Sequence, residues 1–234
     1  MTCAIVLAGG LGTRLRSLVS DVPKPMAPIN GRPFLSYLLD YWIAQGVSSF
    51  VISVGYKHEA IIGYFGKIYK GTPIKYAVEP FPLGTGGGLC LAFELLNQDE
   101  PFLLLNGDTF FSVDLNALLH FAHERNADWC ISLFKTLDID RYMGVNLSKD
   151  SRILSLKGSY NGIENMANGG VYVINPRTLM PSHNKLGNKF SIEEDLIAKE
   201  IKRGKNIVGY SSDAFFIDIG VPSDYQRAIK YFAN

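Results

Sequence analysis

Short apolar runs of the strand kind alternate with helix-patterned stretches through the first half of the chain, and this rhythm constrains the fold more than any other feature. Residues 4–7 (A-I-V-L) read as a buried strand, and residues 34–45 (F-L-S-Y-L-L-D-Y-W-I-A-Q) carry the wide apolar stripe of a helix. Gly46 stands where a helix-ending residue belongs. Residues 50–54 make the next strand, 59–65 a short helix, 74–78 a third strand and 86–96 a helix despite its glycines; 102–105 (F-L-L-L) follow as a further strand. Strands separated by helices at this spacing need crossover connections. The expected fold is therefore α/β, with a mostly parallel mixed sheet covered on both faces.

Past residue 125 the pattern loosens. Residues 129–134, 145–147, 152–156 and 170–174 read as strands with few helices between them. A long helix is expected from Ser191, where S-I-E-E supplies the Ser and Glu of a capping box. Strands near 207–210 and 214–218 follow, and Pro222 suits the first turn of a last helix. No linker, repeat or low-complexity segment interrupts the 234 residues, so one domain over 1–234 is expected.

The formal net charge of +1 argues against broad electrostatic attraction to nucleic acid or to an anionic membrane. An anion handled by this chain must meet a local cluster of positive groups. Cys3, Cys90 and Cys130 are widely spaced with no C-x-x-C, which indicates neither a disulfide framework nor a zinc knuckle and suits reduced thiols in a cytoplasmic protein. No basic segment precedes the first apolar run and no apolar run approaches about 18 residues, so neither a signal peptide nor a membrane span is expected. His58, His120, His123 and His183 form no metal-binding motif.

The first strand runs into Gly9-Gly10-Leu11-Gly12-Thr13-Arg14. An open α/β sheet places its ligand crevice at such a strand end, and glycines there let peptide N–H groups approach phosphate oxygens closely. The spacing fits neither a P-loop nor a dinucleotide fingerprint. Alone, the loop is also compatible with a plain Gly-rich turn. Ten residues beyond Arg14 comes Lys24 between Pro23 and Pro25, prolines that predict an extended backbone and a fixed position for the ammonium group.

Taken together, L-A-G-G-L-G-T-R-L and P-K-P-M-A-P-I resemble the sugar-1-phosphate nucleotidyltransferase family, in which these segments wrap the nucleoside triphosphate and the reacting phosphates. The resemblance extends along nearly the whole chain. E-P-F-P-L-G-T-G (79–86) is similar to the family's base-recognition segment, L-N-G-D (105–108) to its metal-carboxylate segment, N-G-G-V-Y (168–172) to its sugar-binding strand and F-I-D-I-G (216–220) to its second metal carboxylate. It implies a Rossmann-like, three-layer, GT-A-like fold, with a nucleotide-binding half over about 1–125 and a sugar-binding half over 126–234. The implied nucleotide-binding residues are Leu7, Ala8, Gly9, Gly10, Gly12, Thr13, Arg14, Glu79, Gly84 and Thr85. The implied sugar-binding residues are Asn106, Gly144, Lys157, Glu164, Asn168 and Gly169. Arg14, Lys24 and Asp108 are the catalytic candidates, and Asp108 with Asp218 would hold Mg2+.

The two aspartates also make physical sense alone. Each ends an apolar run, where a carboxylate is costly unless it faces a crevice and meets a cation. One or two carboxylates plus substrate phosphates are the usual protein share of a magnesium site. Either aspartate alone is equally a turn or helix-cap residue. The implied reaction is in-line attack by a sugar 1-phosphate oxygen on the α-phosphorus of a nucleoside triphosphate, with pyrophosphate leaving. The nucleophile is already ionised, so positioning and charge neutralisation should carry the rate without a general base.

Base and sugar rest on less. A carboxylate accepts hydrogen bonds only, and guanine presents two adjacent donors that Glu79 could take together; this favours GTP, with CTP second, although Glu79 could equally end a strand and face solvent. Ser17 stands where most relatives carry proline. With R-Y-M-G-V and F-F-I-D-I-G-V-P it is most similar to the guanylyltransferases of D-glycero-alpha-D-manno-heptose 1-phosphate, which make GDP-heptose for bacterial surface polysaccharides. One departure stands out. Gly158 and Ser159 occupy the place of the family's Glu-Lys pair on the sugar, leaving Lys157 and Glu164 as substitutes or the sugar site altered. A thymidylyl-, cytidylyl- or guanylyltransferase of a glucose- or mannose-type hexose 1-phosphate and a non-catalytic nucleotide-sugar sensor stay open as competing readings. Whether the chain pairs as a homodimer is also open.

Overall fold

The computed structural model of the chain describes residues 2–10, 19, 21–97, 99–138, 141–142, 144–156, 165–179 and 187–233. In chain order the first half comprises β1 (Thr2–Ala8), the short pair β2 (Pro28–Ile29) and β3 (Arg32–Pro33), α1 (Phe34–Ala44), β4 (Val47–Val54), α2 (His58–Phe65), β5 (Ile68–Tyr69), β6 (Thr72–Val78), α3 (Gly84–Phe93), β7 (Phe102–Asn106), β8 (Thr109–Phe111) and α4 (Leu115–Glu124). The second half adds β9 (Trp129–Thr136), β10 (Gly144–Leu147), β11 (Ile153–Ser155), β12 (Asn165–Ile174), a π-helical stretch (Ile192–Ile197) leading into α5 (Ala198–Lys202), β13 (Ile207–Ser211), β14 (Phe216–Asp218) and α6 (Pro222–Tyr231).

Ten strands make one sheet, in the order β11-β10-β12-β7-β1-β4-β6-β5, with β9 on the other side of β12 and β13 beyond it. The central strands β7, β1, β4 and β6 are parallel, and β12 joins them antiparallel to β7. This is the mixed, centrally parallel sheet expected from the strand and helix rhythm. The parallel strands are apolar at nearly every position because both faces are covered. Ala4, Val6 and Ala8 face one core with Leu103, Leu105, Phe50 and Ile52, and Ile5 faces the other with Leu104 and Val51. Helices α1, α2, α4 and α6 close the first face with Phe34, Leu38, Trp42, Ile61, Leu118 and Ala228. Helix α3 and the stretch after Ser191 close the second with Leu89, Phe93, Ile192 and Leu196. Each fully buried large side chain of this kind contributes about 1.5–3 kcal/mol by leaving water.

Several expectations change in detail. Helix α1 ends at Ala44 with Gln45 as cap and Gly46 at φ +100°, as the glycine required. The stretch after Ser191 is no single long α-helix. It opens as a π-helix, and although Ser191 Oγ accepts from Glu194 N at 3.2 Å, the return bond to Ser191 N comes from Asp195, one residue late, as the wider turn demands. The backbone at Lys24 is not extended. Lys24–Met26 form a 3-10 turn, with Met26 N donating to Pro23 O at 2.7 Å. Pro25 is tolerated there because the first positions of a helical turn need no N–H donor.

Candidate active site

The strand order reverses between β7 and β1, since β4 and β6 follow β1 on one side and β7 lies on the other. Open α/β sheets form their ligand crevice at such a switch point, beyond the carboxyl ends of the strands. Four of those ends meet here. Gly9 follows β1, Gly55 follows β4, Glu79 follows β6, and Gly107-Asp108 follow β7. Small residues are needed for the approach. A Cβ on Gly107 would lie 2.6 Å from Leu7 O, to which Gly107 N donates at 2.9 Å, and one on Gly9 would lie 2.1 Å from Glu79 Oε1. His58 stands beside this loop, its Nδ1 3.2 Å from Gly55 O.

Glu79 does not hang free in solvent. Ser53 Oγ donates to its Oε1 and Leu83 N to its Oε2, both at 3.0 Å, so the carboxylate is fixed beside Gly9 and Gly88 with lone pairs left on both oxygens. Gly84 and Thr85 open α3. A Cβ on Gly84 would meet Phe190 O at 2.6 Å, and Thr85 Oγ1 accepts from Ile192 N at 2.8 Å. The close approach at Gly84 and the bond to Thr85 thus tie the start of α3 to residues 190–192.

The carboxylates of Asp108 and Asp218 come together. Asp108 follows β7, and β14 pairs antiparallel with β8 so that Asp218 lies opposite Thr109. Between the two carboxylates sits Lys24, its Nζ 2.6 Å from Asp108 Oδ2 and 3.1 Å from Asp218 Oδ1. The ammonium side chain is only 8 % exposed, and Asp108 is the more open partner at 40 %. Gly220 N donates to Asp218 Oδ1 at 2.7 Å, and a Cβ on Gly220 would lie 2.8 Å from Lys24 Nζ. Two carboxylates therefore converge on a place already held by a cation. Among the described residues no third His, Cys, Asp or Glu joins them as a metal-binding group.

On the far side of β7, β12 breaks its pairing with β9 between Asn168 and Tyr172, where Gly170 takes φ +73°. A Cβ on Gly170 would lie 2.8 Å from Asn106 Nδ2, and Gly144 pairs with Ala167, the neighbour of Asn168. Asn106 thus lies against Gly170, and Gly144 lies across from the residue before Asn168. Asn168 is engaged at both ends, donating to Tyr172 Oη at 2.7 Å and accepting from Gly170 N at 3.0 Å. Tyr172 Oη in turn donates to Glu193 Oε1 at 2.9 Å. Burial and the nearby Glu193 charge push the Tyr172 phenol well above its ordinary pKa, so it remains a donor.

Gly12, Thr13, Arg14, Ser17, Lys157, Gly158, Ser159 and Glu164 lie outside the described residues. The residues that sequence reasoning missed are Ser53, which fixes Glu79, Glu193 behind Tyr172, and Arg141. Arg141 Nη2 donates to the Asp218 carbonyl at 3.1 Å. An arginine three positions before Gly144, and an aspartate in the first turn of α6, were the available signals for this part of the site.

The family model described as "Nucleotidyl transferase" matches residues 3–234. The D-glycero-alpha-D-manno-heptose 1-phosphate guanylyltransferase of Aneurinibacillus thermoaerophilus is 44% identical over 227 residues, spanning 97% of this chain and 96% of the relative. The protein of the same description from Campylobacter jejuni is 39% identical, spanning 95% of this chain and 96% of its own. The crystal structure of HddC from Yersinia pseudotuberculosis complexed with GMP-PN has a TM-score of 0.86 at 31% identity, covering 99% of this chain and 100% of that chain.

Proposed function

The chain belongs to the nucleotidyl transferase family, and we propose that it joins GTP to D-glycero-alpha-D-manno-heptose 1-phosphate, giving a GDP-sugar and pyrophosphate. The observation that carries this reading is the meeting of Asp108 and Asp218 on Lys24 at the switch point of the sheet, beside the Gly9 loop. The heptose-specific relatives at 44% and 39% identity support the sugar, and the Yersinia complex with GMP-PN supports a guanine nucleotide.

The chemistry needs charge neutralisation more than proton transfer. The Gly9 and Gly10 amides, with Gly12, Thr13 and Arg14, hold the β- and γ-phosphates, and the nucleotide lies along Leu7 and Ala8. Lys24 leaves the carboxylates for the reacting phosphates when these arrive. Asp108 and Asp218 would hold Mg2+, which would offset the charge of the phosphates. The donor set fits that ion, since two carboxylates converge where an ammonium now sits and one or two carboxylates are the usual protein share of such a site.

Glu79, held by Ser53 and Leu83, accepts from N1–H and the 2-amino group of guanine, with Gly84 and Thr85 beside it. Asn106, Gly144, Asn168 and Gly169 face the sugar, and Lys157 and Glu164 are the candidates to bind its phosphate and hydroxyls. The nucleotide half over 1–125 and the sugar half over 126–234 thus share one sheet. Cys3, Cys90 and Cys130 form no disulfide, which suits a reducing, cytoplasmic setting. The reading is tested by pyrophosphate release from GTP, dTTP, UTP and CTP in turn, each with heptose, mannose and glucose 1-phosphates. Turnover with GTP and the heptose supports it. Turnover confined to dTTP, or substrate binding without pyrophosphate release, contradicts it.

A further inference from the structure

Asp218 touches a second cation that neither phosphate transfer nor a magnesium site requires. Arg141 Nη2 donates to the Asp218 backbone carbonyl at 3.1 Å and lies 3.6 Å from Oδ2 of the same residue. The same nitrogen forms an ion pair of 2.6 Å with Asp224 Oδ2. Asp224 lies in the first turn of α6 with its side chain 4 % exposed, and Arg227 Nη1 donates to its Oδ1 at 2.6 Å. A helix start favours a carboxylate, and Arg227 takes its Oδ1, which leaves the buried Oδ2 facing Arg141. Asp224 thus anchors Arg141 at the place where it meets Asp218.

The aromatic packing below points the same way. The Arg141 guanidinium lies 4.8 Å above the Tyr142 ring, and Tyr142 packs edge-on against Phe134 and Phe216. Phe134 and Phe216 are stacked at 3.8 Å, and Phe216 lies two residues before Asp218 on β14. One pile of rings therefore supports both the arginine and the strand that carries the carboxylate.

We propose that Arg141, held by Asp224, is a positioning residue that keeps the Asp218 carboxylate in its metal-binding orientation when Lys24 turns away to the substrate phosphates. This inference rests on the nucleotidyl-transfer reading above. It differs in sign from a simple charge effect. An arginine beside a metal carboxylate repels a cation, so on electrostatics alone its removal would tighten metal binding. Loss of a partner that orients a metal ligand weakens binding about 10–100-fold.

The test is Mn2+ affinity, read by electron paramagnetic resonance, with a GTP analogue carrying a methylene bridge between the α- and β-phosphorus. Wild-type protein is compared with R141Q, R141K, D224N and R227Q, and each Tm is measured alongside. R141Q and D224N are expected to raise the Mn2+ Kd about 10–100-fold, with R141K between them and wild type. R227Q, which alters an arginine 58 % exposed, is expected to stay within about twofold of wild type while lowering Tm. Should D224N fail to fold, R141Q and R141K still decide the matter. R141Q that folds and binds Mn2+ as tightly as wild type, or more tightly, overturns the inference and leaves the nucleotidyl-transfer reading standing. Wild-type protein that binds no Mn2+ with the analogue overturns both.

Discussion

The ammonium of Lys24 lies 2.6 Å from the Asp108 carboxylate while also reaching Asp218, so one buried cation neutralises both acids that would hold a metal. On the proposed mechanism that lysine has two partners in turn, the carboxylates before substrate arrives and the reacting phosphates afterwards. Lys24→Ala is expected to lower kcat/KM by roughly a hundredfold or more, as loss of a transition-state donor does. Steady-state kinetics under saturating magnesium check it. A near-wild-type rate would remove Lys24 from the mechanism.

Gly86 reverses an ordinary helix rule. Glycine inside a helix is normally worse than alanine by about 1 kcal/mol. Here a Cβ would stand 2.2 Å from the Phe190 ring, which closes the second core against α3. Gly86→Ala is therefore expected to destabilise by roughly 1–3 kcal/mol through overpacking, read as a lower denaturation midpoint at unchanged m-value. A stabilised variant would mean that Phe190 moves aside freely.

Glu79 offers a test of base choice that separates recognition from folding. Its carboxylate accepts from Ser53 Oγ and Leu83 N, and a glutamine can still accept through one oxygen. Glu79→Gln should keep the fold but present an amide donor toward the guanine N1–H and amino groups. The expected result is a kcat/KM for GTP lower by about 10-fold or more, each unmade hydrogen bond to a charged group being worth about 1.5–3 kcal/mol. Unchanged GTP kinetics would assign Glu79 to the start of α3 alone.

The pH dependence of stability has an identifiable contributor away from the crevice. Burial pushes the Asp40 carboxyl up, but its bonds to Arg32 and Lys70 outweigh this and hold it below the usual carboxylate range. A depressed folded-state pKa adds stability above the unfolded value of about 3.9, and that stability is lost as pH falls through the folded value. Asp40→Asn should thus lower Tm at pH 7, with the gap to wild type closing below about pH 4. A gap that does not vary with pH would show that packing, not charge, is lost.

Much of this architecture was legible because it follows from local chemistry. The parallel strands could be read from their apolar runs, since two covered faces leave no alternation to confuse. Gly46 marked the end of α1 through the φ +100° it adopts. Asp108 and Asp218 could be paired only through the resemblance to the nucleotidyltransferase family, since either alone is equally a turn or helix-cap residue. What could not be read depends on contacts distant along the chain. Ser53 meets Glu79 only because β4 and β6 lie side by side, and Arg141 meets Asp218 and Asp224 across about 80 residues of sequence. The turn at Lys24 was misread because the proline rule for extended backbone competes with the ease of placing Pro25 in a helical first turn. Strand β14 was legible within residues 214–218, but its three-residue partner β8 was not, and their pairing sets Asp108 and Asp218 side by side.

The central claim, that this crevice transfers a nucleotidyl group, is tested most directly by following label. The protein is incubated with magnesium, D-glycero-alpha-D-manno-heptose 1-phosphate and GTP labelled with phosphorus-32 at either the α- or the γ-position. The account predicts that α-label appears in a GDP-sugar and that γ-label appears only in pyrophosphate. Transfer of γ-label to the sugar, or no labelled sugar nucleotide from either substrate, would contradict it.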